Sequence, residues 1–160
     1  MKYSINDFVS FYFKFKELVE VQKYLKFGKN PHIPSKFSEN LVKYLLGYDD
    51  WEGKDFDAQT KDNLGVEIKA TGSANGATSI KLEQLSNTNF SHIEWLYINF
   101  ETDQVTVKKI EKKSLSKFIK DNKGKQRPNI RLNQYDYSSS ISYQFKKNHK
   151  LEKINVVVSN

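Results

Sequence analysis

Apolar residues recur at helical spacing near the start of the chain, at Phe8, Phe11, Phe15, Leu18 and Val19. This predicts a helix over residues 5–27, with Ser4 or Asn6 as N-cap and Gly28 then Pro31 as stop signals. The added aromatics Tyr12, Phe13 and Tyr24 predict burial on more than one side, in a core or a dimer contact. A second helix is predicted over 35–46, stopped by Gly47. Phe37, Leu41, Tyr44 and Leu45 form one apolar stripe of it, Val42 and Leu46 a second on the opposite side, and Lys36, Asn40 and Lys43 a narrow polar one. Glu39 projects beside Val42 and Leu46. A carboxylate bordering an apolar face is costly unless paired or bound to a metal. The alternative is a first-turn glutamate favoured by the helix dipole next to a capping Ser38.

The period then changes to two. Residues 54–60 and 64–71 read as a hairpin turning at 61–65, with Val66, Ile68 and Ala70 toward a core and Glu67 and Lys69 sharing the other face. Asp57 falls on the neighbouring strand and on that same face, so two carboxylates and a lysine converge, a set suited to a divalent metal and a phosphodiester. Asp55 shares the face of Asp57, which leaves either as the first carboxylate. Residues 72–79 form a small-residue loop leading into a short helix at 80–85. A second hairpin pairs 93–100 with 105–110. Ser114 caps a short helix to Lys120, and a last strand covers 153–158. No internal repeat or long linker divides the chain. The expected organisation is one domain: an N-terminal helix (about 5–27), a core (about 35–122) and a basic part (123–160).

Charge sharpens this picture. The net charge of +7 is unevenly spread: residues 1–100 carry 12 Lys against 13 Asp and Glu, while residues 101–160 carry 14 Lys and Arg against 6. Eight carboxylates crowd into residues 39–67, so an acidic island sits within a basic protein. An enzyme acting on a polyanion through a bound cation needs that combination; a solvated lysine-rich surface is the plainer reading. The chain has no cysteine, which excludes disulfides, thiolate metal sites and a cysteine nucleophile. His32, His92 and His149 lack metal-ligand spacing, and there is no Walker loop. No apolar run approaches a membrane span and the start lacks a secretory core, so a soluble cytoplasmic protein with no membrane contact is expected.

The stretch containing Phe37, Ser38, Glu39, Asn40, Leu41 and Val42, then Phe56 and Asp57, then Val66 to Thr71 and Gly76 to Ser79 resembles the PD-(D/E)XK nuclease superfamily, most closely its small type II restriction endonucleases. The likeness spans about a quarter of the chain. It departs in one place: Phe56, not proline, precedes Asp57. The resemblance implies an α/β fold with a restriction-endonuclease-like core, a mixed central β-sheet flanked by helices. It places Asp57 at the first acidic position, Glu67 at the second, Lys69 at the lysine and Glu39 at the helix glutamate that often joins the site. It further implies Mg2+ held by Asp57, Glu67 and the Ile68 carbonyl, with Glu39 helping to hold a second ion. The implied activity is sequence-specific hydrolysis of double-stranded DNA to 5′-phosphate and 3′-hydroxyl ends. A homodimer and a cognate DNA methyltransferase are the implied partners.

For DNA contacts, Asn75, Thr78 and Ser79 lie just past the catalytic strand. Lys123, Lys125, Arg127, Asn129, Arg131, Asn133 and Gln134 mix phosphate-seeking with base-reading side chains. Arg127 and Arg131 are the first candidates, because arginine suits guanine bidentately. Competing readings are another nuclease of the same fold (a junction resolvase or repair enzyme), a noncatalytic DNA-binding module, and an interaction protein using its aromatic first helix.

Overall fold

A computed structural model describes residues 3–28 and 31–154. Helix α1 (Ile5–Leu25) opens with a reciprocal cap: the Ser4 hydroxyl accepts the Asp7 N–H, and the Asp7 carboxylate accepts the Ser4 N–H at 2.7 Å. It closes on Lys26 in the left-handed region, so it stops at Leu25, short of Phe27. Helix α2 (Ser35–Leu46) matches its predicted span, and Gly47 closes it at φ 67°. Ser38 is not its cap. Pro34 stands at the N-cap, and the Ser38 hydroxyl donates to the Ser35 carbonyl at 2.9 Å. Glu39 therefore lies beyond the first turn, and the helix-dipole reading of it fails.

The remaining elements are β1 (Ala58–Gln59), β2 (Gly65–Thr71), β3 (Ala77–Ser79), α3 (Leu82–Ser86), β4 (Phe90–Asn99), β5 (Gln104–Glu111), α4 (Ser116–Asp121), β6 (Asn129–Arg131), β7 (Ser139–Lys146) and β8 (Lys150–Ile154). Six strands form one sheet in the order β1-β2-β4-β5-β7-β8. Only β2 and β4 are parallel; the other pairings are antiparallel. β3 and β6 make a separate two-stranded ribbon. This mixed sheet with flanking helices is the expected class, compatible with the restriction-endonuclease-like fold.

Register assigns the two faces of the large sheet. Val66, Ile68 and Ala70 stand beside His92, Glu94 and Leu96. Leu96 and Ile98 stand beside Val107 and Val105, and this face packs on Val9, Tyr12, Leu41 and Val42 of the two long helices. The opposite face carries Glu67 beside Ile93 and Lys69 beside Trp95. There a second core of Phe56, Ile80, Leu85, Leu115, Ile130 and Leu132 closes over it. Glu67 is consequently covered rather than left on a solvent face.

Several segments depart from their predicted form. The expected strand at 54–60 pairs only at Ala58 and Gln59, because its front half is drawn toward α3: Asp55 accepts from Trp51 Nε1 and Asn87 Nδ2, both at 3.3 Å, and its carbonyl takes Gln84 Nε2. Phe56 lies so close over Gly65 that a Cβ there would sit 2.1 Å from the ring. The loop at 72–79 contains β3, and its partner β6 falls in the basic part. The short helix runs Leu82–Ser86. Ser114 belongs to a 3-10 turn (Lys112–Leu115) ahead of α4 and caps nothing. β7, for which no strand is predicted, starts at Ser139 in a run of serines. β8 begins at Lys150, and the 155–158 portion of its predicted span lies outside the described residues. Among the described residues no helix is long and apolar enough to cross a membrane.

Candidate active site

β1 is two residues long and β2 seven, so β2 runs on past its neighbour and leaves a length of open sheet edge. Asp57, one residue before β1, continues the ladder by donating its N–H to the Val66 carbonyl at 3.1 Å. Its side chain then replaces the missing strand: Asp57 Oδ2 accepts the Ile68 N–H at 2.7 Å. A strand residue's N–H and C=O point the same way, so the Ile68 carbonyl lies along this edge beside the Asp57 carboxylate.

Glu67 and Lys69 project from β2 on the ribbon side of the sheet. Lys69 Nζ donates to Glu67 Oε1 at 2.6 Å. The other oxygen, Oε2, is buried with no hydrogen-bond partner among the described residues. Burial pushes the Glu67 carboxyl up to about 7; the Lys69 ammonium works against this, and the charge of Asp57 adds to it. Burial also raises the Asp57 carboxyl, opposed by the Ile68 N–H and reinforced by the charge of Glu39. Glu39 reaches this neighbourhood from α2. It is buried, and Lys36 Nζ donates to its Oε2 at 2.8 Å.

The structure thus brings Asp57, Glu67, Ile68, Lys69 and Glu39 to one edge and takes Asp55 away toward α3. Among the described residues no three acidic, histidine or cysteine side chains form a ready metal cage. What the edge supplies is two carboxylates, one with an orphaned buried oxygen, and a main-chain carbonyl. An unsatisfied carboxylate oxygen out of water is unstable unless a cation or donor fills the place. The donor set is all oxygen, which suits a hard divalent ion that keeps several waters. The residues fit such a group.

The predicted DNA-contacting residues fall in several places. On the ribbon, Ala77 pairs with Arg131 and Ser79 with Asn129, all four exposed, and Gln134 lines the same groove. Thr78 pairs with buried Ile130 and so shares the inward face. Asn75 Oδ1 accepts from Ser73 Oγ and the Ala77 N–H, both at 3.0 Å, which ties it into its own loop. Lys123, Lys125 and Arg127 line a different hollow, shared with Lys81 at the start of α3. Asn133 is exposed on the 3-10 turn after β6 and lines neither.

Three features escaped the sequence. Lys81 is near enough for its charge to act on Glu67. Lys36 pairs with Glu39 at i,i+3, a spacing that could have been read. On the helix side of the sheet, Tyr48 Oη donates to Glu94 Oε1 at 2.8 Å and meets His92 Nε2 at 3.1 Å, while His92 Nδ1 meets Ser91 Oγ at 2.9 Å. Nothing in the periodicity around 92–94 marks that buried polar cluster.

The mixed six-stranded sheet with flanking helices is compatible with a restriction-endonuclease-like fold. A family model described as Bsp6I restriction endonuclease matches residues 1–134, and the chain belongs to that family. Membership makes it an endonuclease with DNA as substrate. The match takes in every residue of the edge site and of the ribbon; β7 and β8 lie beyond it. No curated protein and no solved structure matches the chain.

Proposed function

We propose that this protein is a type II restriction endonuclease that hydrolyses double-stranded DNA at a specific sequence, with Mg2+, leaving 5′-phosphate and 3′-hydroxyl ends. The observation that carries this reading is the orphaned Glu67 Oε2, buried beside Lys69 and facing the edge that Asp57 and the Ile68 carbonyl complete. A magnesium ion held by Asp57, Glu67 and the Ile68 carbonyl would polarise the scissile phosphate and make a bound water a stronger nucleophile. The protein's own groups do the rest. Glu67 Oε1 holds the Lys69 ammonium in place, and that ammonium keeps further N–H donors to orient the water and offset charge developing on the phosphate. The water's oxygen attacks phosphorus in line, the bond to the 3′ oxygen breaks, and that oxygen takes up a proton. Glu39, whose charge reaches Asp57 from α2, would help to hold a second ion.

Within this reading the chain is a single nuclease domain, working in the cytoplasm with residues 123–160 as its basic DNA-contacting part. Lys123, Lys125 and Arg127 contact phosphates, and Asn75, Ser79, Arg131, Asn133 and Gln134 belong to the DNA-facing side, while Thr78 turns inward beside Ile130. A homodimer on a palindrome is the working form, and α1 offers exposed Phe11, Leu18, Val21 and Leu25 for self-association. A cognate methyltransferase would protect host DNA. Incubating unmethylated phage DNA with the purified protein tests the proposal. Sharp bands that need Mg2+ and vanish in EDTA are expected; intact DNA across buffers and pH, or a smear with no discrete bands, would overturn it.

A further inference from the structure

The ribbon β3–β6 joins an anchored face to an unoccupied one. Ile130 on its inner face, and Leu132 just beyond it, are buried in the ribbon-side core with Trp95. Main-chain bonds extend its ladder at both ends: Leu132 N–H to the Gly76 carbonyl at 3.2 Å, and Ile80 N–H to the Pro128 carbonyl at 3.2 Å. Gly76, at φ 60°, presses so closely on Trp95 that a Cβ would lie 2.7 Å from the indole. Trp95 is also the register partner of Lys69, and its Nε1 donates to Thr71 Oγ1 at 2.9 Å at the end of β2. One buried indole therefore fixes the ribbon relative to the catalytic strand.

The outer face carries Arg131 opposite the small Ala77, and Asn129 opposite Ser79. These side chains make no hydrogen bond or ion pair within the described residues, and no described carboxylate lines the groove of about 680 Å³ beside the ribbon. There they meet Gln134, Tyr135 and Phe118, and the inward Thr78 and Ile130 also reach its wall. A rigid two-stranded ribbon is one of the two elements that the major groove admits. Residues two apart on a strand stand roughly 7 Å apart, about two base-pair steps.

We propose that the outer face of the β3–β6 ribbon is the base-reading element, entering the major groove with Arg131 donating two hydrogen bonds to a guanine and Asn129 reading a base about two steps away. This rests on the nuclease reading and assigns the specificity within it. The lysine-rich hollow of Lys123, Lys125 and Arg127 then serves phosphates, which carry no sequence information. The recognition sequence must contain a G·C pair under Arg131.

The test begins by sequencing the ends of wild-type phage-DNA digests to obtain the site. Wild-type protein and the variants Arg131→Ala, Arg131→Lys and Lys125→Ala are then assayed by kcat/KM on the site and on duplexes with each base pair replaced in turn. Arg131→Ala should lower cleavage of the true site about 10- to 100-fold and erase discrimination at one G·C position. Arg131→Lys keeps the charge but not the fork, so it should recover DNA binding without recovering that discrimination. Lys125→Ala should weaken all duplexes by a common factor. Full discrimination at every G·C pair in both Arg131 variants, with a cutting wild type, would overturn the ribbon assignment alone. A wild type that cuts nothing would overturn the nuclease reading and this inference with it.

Discussion

Two buried glutamates stand on adjacent, parallel strands and lead opposite lives. Glu67 on β2 and Glu94 on β4 are each 2% exposed, on opposite faces of one sheet. Glu94 faces the helices, where the Tyr48 hydroxyl donates to it and His92 lies 3.1 Å away. Glu67 faces the ribbon, where Lys69 meets one oxygen and, among the described residues, no donor meets the other. Burial is the same; what differs is that Glu67 keeps one buried oxygen with no partner among the described residues, while Glu94 takes Tyr48 and His92 at Oε1. The Tyr48 contact is a strut that ties the chain after α2 to the sheet. A buried carboxylate oxygen left unmet costs the fold stability.

The contrast can be broken most violently at the chemistry. Lys69→Ala or Glu67→Gln should lower the cleavage rate by about 10³-fold or more while DNA retention in a gel stays near wild type. Glu94→Gln should leave cleavage within a few-fold. A Lys69→Ala protein cutting at the wild-type rate would refute the role given to that residue.

Stability against pH separates the pair next. The Glu67 carboxyl, at about 7 in the fold, lies above its usual 4.5, so the native state holds a proton that the unfolded chain releases between those values. Stability of the protein in EDTA should fall as pH rises from 4.5 to 7, by about 2–3 kcal/mol from this group, with Asp57 adding in the same direction. Urea titrations at the two pH values measure it. The fall should shrink in Glu67→Gln and be offset by added Mg2+; an unchanged slope in Glu67→Gln would contradict the assignment.

Tyr48→Phe removes the donor from Glu94 without changing the ring. We expect a loss of about 1–3 kcal/mol in urea at neutral pH, with the site chemistry intact. The smallest effect belongs to the mostly exposed Lys36 beside Glu39. Lys36→Met should change stability by less than about 0.5 kcal/mol, as solvent screening of such pairs dictates, and thermal melts would show it.

The sequence revealed Glu67 far better than Glu94. Glu-x-Lys between apolar neighbours announces a shared strand face, and the end of β2 needs only local pattern. The opposite face of β4 depends on what Tyr48, 46 residues earlier in the chain, brings to it. The same distinction runs through the fold. α2 carries its own stop at Gly47 and was legible to the residue. β3 and β6 have three residues each, with Ile130 the only large apolar side chain between them, and become strands only by pairing with each other. β7 begins in serines, whose pattern predicts no strand, and is a strand because β5 offers an edge to pair with. Asp55 and Asp57 were indistinguishable in sequence, since what draws Asp55 aside is Asn87 and Trp51, not its own neighbours.

The stretch of β2 that outruns β1 has a meaning apart from catalysis. Exposed, unpaired strand backbone is a template on which other chains can stack, and proteins defend such edges with short neighbours and charge. Here the defence and the enzyme are made of the same atoms. The Asp57 carboxylate takes the one N–H that an invading strand would seek at Ile68, and the part-exposed Lys69 sets a charge beside it. A nuclease that lost these side chains to inactivation would lose its guard against self-association as well, so the price of silencing this site is paid in solubility.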